Sequence, residues 1–165
     1  MRRLLASFAL VSLLGATPAL GGVTLLASAA RTANGTATIT AFDPSLADSV
    51  TFFLDITAAA TQVADKLDVY VQHSWDGGTT WDDFAHATQA DGNGGAVSYL
   101  MFWCRACTAP EDEERVEADA ALAEASVLQG PTGSTWRLKW VITETGADDE
   151  SFTFSVTADS HYGVR

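Results

Sequence analysis

Polar and reactive side chains cluster at two places in this chain. Ser74, Asp76, Gly78, Thr80 and Trp81 fall within the run Ser-Trp-Asp-Gly-Gly-Thr-Thr-Trp, and Cys104 and Cys107 bracket Cys-Arg-Ala-Cys. Short oxygen-bearing side chains beside consecutive glycines bond to their own backbone, so the first cluster predicts a rigid turn rather than a reaction centre. The second would be a redox dithiol only if it opened a helix after a strand in a βαβ unit, and no parallel pattern surrounds it. It would hold zinc only with two further ligands, and His73, His86 and His161 show no paired spacing. Plain thiols or a local disulfide are the readings that remain for Cys104 and Cys107. His73 and His86 flank the turn and are candidates to face each other across it, but neither has a nominated acid partner at short range. The chain has no Gly-x-Ser-x-Gly elbow, no His-Glu-x-x-His and no phosphate-cradling loop leading into a helix. It therefore nominates no catalytic residue, no metal ligand and no cofactor.

The flanks position the turn. Leu67, Val69, Val71 and His73 alternate with Asp68, Tyr70, Gln72 and Ser74, and apolar character resumes at Trp81, Phe84 and Ala85, which predicts a β-hairpin. Every defined position of Ser-x-Asp-x-Gly-x-Thr-Trp is matched, so the segment resembles the Asp-box that decorates hairpin turns in sialidase propellers and in many unrelated β proteins. The resemblance implies that the Asp and Ser side chains tie the turn to its own backbone while the Trp packs beneath it. A propeller would repeat the box, and a sialidase would cluster arginines for the substrate carboxylate. A single box and nine scattered basic residues speak for the structural reading.

Elsewhere the same period-2 signal recurs. Val23 to Thr32 and Gly35 to Phe42 flank an Ala33-Asn34-Gly35 turn, and Val50, Phe52, Leu54 and Ile56 alternate with Thr51, Phe53, Asp55 and Thr57. Ala96 to Trp103, then Trp136, Leu138, Trp140 and Ile142, then Phe152, Phe154 and Val156 complete about eight strands. Asp91 to Gly95 reads as a hairpin loop. Antiparallel strands with one apolar face must cover that face with a second sheet, so the expected fold is all-β, an antiparallel β-sandwich or jelly roll. One stretch breaks the pattern: near 110–128, Val116, Ala120, Ala123 and Val127 recur at helical spacing behind an acidic first turn, which predicts a short helical insertion. Its carboxylates lack the spacing and the bending Gly of an EF-hand loop and read as a solvated face.

Composition sets the bounds. At 165 residues and 47% hydrophobic content the chain suits one domain, residues 23–165, with a core of ordinary size. A net charge of -12 disfavours nucleic acid and anionic membrane surfaces as partners. Residues 1–22 begin with Arg2 and Arg3, continue as a mostly apolar run from Leu4 to Leu14, and end in small residues. That layout is a cleavable secretory leader or a retained apolar N-terminal arm, and it is too short for a stable membrane-spanning helix.

Thr24 to Thr32, Leu67 to Asp76, Trp136 to Thr143 and Ser151 to Val156 together resemble a group of small virion structural proteins of tailed bacteriophages. The resemblance covers most of residues 23–158. It implies a non-enzymatic β-sandwich that forms homo-oligomers and binds other virion proteins, as a head-surface decoration or in the tail. The chain departs from the pattern in its leader and in the cysteine-bearing acidic segment 103–128. The competing expectation is a secreted binding module, leader removed, with Trp75 and Trp103 stacking on sugar rings.

Overall fold

In the computed structural model, residues 22–107, 122–145 and 151–162 are described. They form ten strands: β1 (Val23–Arg31), β2 (Gly35–Thr38), β3 (Ser49–Ala58), β4 (Lys66–Ser74), β5 (Asp82–His86), β6 (Ala90–Asp91), β7 (Val97–Cys104), β8 (Ser126–Val127), β9 (Thr135–Thr143) and β10 (Phe152–His161). They pair into two antiparallel sheets. The four-stranded sheet has the order β1-β10-β3-β7, and the six-stranded sheet has β2-β9-β4-β5-β8 with β6 added beside β4.

Alternation decides which side of each strand is buried. Val50, Phe52, Leu54 and Ile56 of β3 and Phe152, Phe154, Val156 and Ala158 of β10 point one way. Leu67, Val69 and Val71 of β4 and Trp136 and Leu138 of β9 point back at them, so the two sheets share one core. At its centre one aromatic from each of four strands meets: Phe52, Phe84, Trp103 and Trp136. Phe84 and Trp136 lie 4.7 Å apart between centroids, and Trp103 stands edge-on to Trp136 at 5.0 Å. Both buried indoles keep their N–H satisfied by one loop. Trp103 Nε1 donates to the Gly130 carbonyl at 3.1 Å and Trp136 Nε1 to the Gly133 carbonyl at 2.9 Å.

The strands expected from the sequence are present, and the two added ones, β6 and β8, are each two residues long. The pairing shows what the connections between these strands are. β1 pairs with β10 and β2 with β9, so the turn at 33–35 is a corner between sheets. There Gly35 passes against the Trp140 ring so closely that a Cβ would fall 2.2 Å from it, so a side chain at that corner would force the indole to move. The loop Asp91 to Gly95, expected to be a hairpin, is not one, because β6 pairs with β4 and β7 with β3. Of the helical insertion expected near 110–128, residues 108–121 lie outside the described residues. Residues 122–128 are not helical: a turn at Glu124–Ala125 leads into β8. The leader lies outside the described residues except for Gly22.

Candidate functional site

The turn brings all five of its sequence-nominated residues together. Asp76 Oδ1 accepts from the Ser74 hydroxyl at 2.7 Å and from the backbone N–H groups of Thr79 and Thr80 at 3.0 and 2.8 Å. Ser74 Oγ in turn accepts from the Gly78 N–H at 2.7 Å, and the Trp81 indole donates to the Gly78 carbonyl at 2.9 Å. Gly77 and Gly78 sit at φ 74° and 101°, the left-handed region where a side chain would be strained. The Thr80 N–H, the Ser74 hydroxyl and the Thr79 N–H all bond the ionised carboxylate, holding Asp76 down at about 2. Every one of these groups is turned on its neighbours, so the assembly is a clamp on the backbone.

The two histidines beside the turn do not face each other. His73 points into the core, edge-on to Phe84 at 5.5 Å, and its Nδ1 accepts from the Gly133 N–H at 2.8 Å. Burial pushes it down to about 4, so the ring stays neutral at physiological pH. His86 lies on the opposite face of the sheet, stacked on Tyr70 at 4.0 Å, with Nε2 3.0 Å from Asp68 and Nδ1 2.8 Å from the Leu122 carbonyl. Asp68, a partner the sequence did not suggest, sits on the adjacent strand 18 positions away. Asp82 pairs with His73 across the ladder and is buried, and neither carboxylate oxygen has a hydrogen-bond partner among the described residues. Burial, with Asp83 and Asp76 nearby, raises it above the ordinary carboxylate range.

A second chain of contacts crosses the outward face of the six-stranded sheet. Asp83 accepts from the Gln72 amide at 2.6 Å, Gln72 accepts from Arg137 Nε at 2.6 Å, and the Arg137 guanidinium lies over the Trp81 ring at 4.2 Å. It locks the turn to β4, β5 and β9. Farther along, Gln89 donates to both oxygens of Asp68 at 3.0 Å while its own N–H donates to Glu124 at 3.1 Å. This face is thus polar, paired and partly covered by the 122–125 segment.

The outward face of the four-stranded sheet is different. Phe53 stands directly across from Leu100 and Thr51 from Phe102 in the β3–β7 register. Leu100 is 69% exposed, Phe102 50% and Phe53 37%. Three large apolar side chains in contiguous cross-strand positions make an exposed apolar patch among the described residues. An open groove runs from it across Thr51, Thr157, Ala158 and Asp159 to Gly22. β7 is the edge of this sheet, and part of its free backbone is taken: Gln129 donates to the Phe102 carbonyl at 2.8 Å and accepts from the Cys104 N–H at 2.7 Å. The Gly130 N–H adds a bond to the Cys104 carbonyl at 3.0 Å. One side-chain amide thereby stands in for a neighbouring strand and blunts that edge beside the patch.

Cys104 and Cys107 form a disulfide with Cα atoms 5.3 Å apart, closing the bend at the end of β7. Of the two tryptophans weighed as sugar platforms, Trp103 is fully buried, whereas Trp75 is 52% exposed. Among the described residues no group of three or more His, Cys, Asp or Glu is placed to hold a metal ion, and no helix is long and apolar enough to cross a membrane. Comparison with protein-family models, with curated proteins and with solved structures finds no match to this chain.

Proposed function

We propose that this chain is a non-enzymatic structural subunit of a tailed-phage virion, a head-surface decoration protein ahead of a tail component, present in many copies as a homo-oligomer against other virion proteins. The observation that carries the reading is the Phe53, Leu100 and Phe102 face, an exposed apolar patch of the kind that supports a protein partner. Strand order supports it. The chain changes sheets between β1 and β2, β2 and β3, β3 and β4, β6 and β7, β7 and β8, and β9 and β10, giving β1-β10-β3-β7 in one sheet and β2-β9-β4-β5 in the other. We read that order as a jelly roll, an architecture found in viral capsid and lectin domains. A repeated subunit presents the same patch at every lattice position, so a modest surface is multiplied by symmetry.

The test is peptide mapping by mass spectrometry of gradient-purified particles from the native source. Abundant copies that co-sediment with particles are the expected result. A chain recovered only as soluble material beginning near Val23 would overturn it in favour of a secreted binding module. Trp75, exposed beside a clamped turn, favours that second reading as a stacking platform for a sugar ring.

A further inference from the structure

The Cys104–Cys107 disulfide closes a bend in which only Arg105 and Ala106 lie between the sulfurs, yet that bend is also held by bonds that do not need the disulfide. The Cys104 N–H donates to Gln129 Oε1 at 2.7 Å, and the Cys104 carbonyl accepts from the Gly130 N–H at 3.0 Å. The Arg105 N–H donates to the Asp48 carbonyl at 2.8 Å, its Nε to the Ala47 carbonyl at 3.0 Å and its Nη2 to the Pro44 carbonyl at 2.8 Å. Its guanidinium also lies 5.6 Å from the centroid of the Trp103 ring. The two sulfurs differ in access: Cys107 is exposed, whereas Cys104 is half-buried at the end of β7. A thiolate must reach the sulfur it attacks, so access selects Cys107. We propose that Cys104–Cys107 is a reversible thiol-exchange site, opened at Cys107 Sγ by a low-molecular-weight thiol of the glutathione class.

The step balances with that thiol alone. Its thiolate forms a new S–S bond to Cys107 Sγ, the Cys104–Cys107 bond breaks, and the electron pair leaves on Cys104 Sγ. A second thiolate attacks the small-thiol sulfur of the mixed disulfide and releases Cys107, so two external thiols become one disulfide while the protein takes up two electrons and two protons. Attack by the Cys104 thiolate on Cys107 Sγ instead restores the starting pair. So short a closed loop constrains the unfolded chain little, so the fold survives opening, and the bonds at Cys104 and Arg105 keep the thiols near enough to close again. This exchange is done to the protein and not by it, because β7 pairs antiparallel with β3 and the motif does not open the helix of a βαβ unit. Cys104 shares the outward phase of β7 with Leu100 and Phe102, so the state of the pair alters what stands beside the apolar patch. The inference stands apart from the virion reading and from its alternative.

The experiment incubates the native full chain in buffers of reduced and oxidised glutathione, quenches with acid and maps the peptides. Trypsin cuts after Arg105, so the two cysteines are read separately. Opening without denaturant is expected, with glutathione on Cys107 in about ten-fold excess over Cys104. The reduced chain should melt no more than about 10 °C below the oxidised one, and oxidised glutathione should restore the intramolecular pair. In single-thiol variants, Cys107 of Cys104→Ser should react with iodoacetamide about ten-fold faster than Cys104 of Cys107→Ser. Adducts mainly on Cys104, a pair that opens only in denaturant, a fold that melts on reduction, or equal rates in the two variants would each overturn the proposal. Should either serine variant fold poorly, the adduct map of the native chain decides.

Discussion

The outward faces of the two sheets are opposites. On the six-stranded sheet, polar side chains are buried: Asp68, Gln72, Asp83 and His86 are each at most 9% exposed, and each is bonded to a partner on another strand or loop. On the four-stranded sheet, apolar side chains are exposed. Burial usually sorts residues the other way. The difference teaches that an outward face is defined by what lies on it. A polar face can be closed by a network and a covering segment, while the apolar face keeps its large side chains exposed among the described residues.

The shared core should be indifferent to this contrast. Trp136→Ala removes the indole that touches Phe52, Phe84 and Trp103 and should cost about 3–5 kcal/mol, seen as a large fall in Tm. Losses well under that figure would mean that the sheets do not depend on each other through this cluster. Next in size, Asp68→Ala on the closed face strands His86 and Gln89 and should cost about 1–3 kcal/mol. By contrast, Leu100→Ser on the open face should change stability by less than about 0.5 kcal/mol. Equal losses at the two positions in denaturant melts would erase the distinction between the faces.

Acid should act first through the core. The unfolded chain protonates His73 near 6.5, but the folded chain only near about 4, so the unfolded state binds more protons between those values. Stability should therefore fall as pH drops through that window, and His73→Gln should lack this component of the slope in melts across the range. Asp82 carries the reverse sign. Its folded value is raised, so ionisation destabilises the native state at neutral pH, and Asp82→Asn should raise Tm at pH 7. That gain should vanish below the ordinary value of 3.8, and a lower Tm at pH 7 would show that the carboxylate is paired in solution. A modest effect is expected at the turn. Asp76→Ala should lower Tm modestly above pH 3.8, with the gap to the native chain closing as pH falls through about 2.

Much of this molecule was legible in advance. The turn from Ser74 to Trp81 was readable because each partner lies within four positions of another, and its hydrogen bonds are local. The inward faces of β3, β4, β9 and β10 were readable because alternation reports burial directly. Three features were not. The Asp83–Gln72–Arg137 chain spans 65 positions between Gln72 and Arg137, and the His86–Asp68 pair spans 18. Gln129 acts as a surrogate strand for β7, although nothing in its neighbourhood marks a glutamine for that role. The open patch was visible only as Phe53, Leu100 and Phe102 falling on polar-phase positions of their strands, a weak signal without knowledge of what covers them.

Strand existence, the side each strand buries and the clamped turn were written locally, because period-2 alternation and short-range side-chain-to-backbone bonds need only neighbouring residues. Which sheet each strand joins was settled only on folding. Alternation reads the same in either sheet, so Asp91–Gly95 looks like a hairpin loop until β7 finds β3. The fate of the two outward faces was settled the same way, since coverage is a relation between segments far apart in the chain. One face received the 122–125 segment; the other received only the edge contacts of Gln129 and Gly130 among the described residues, leaving its apolar side chains presented outward.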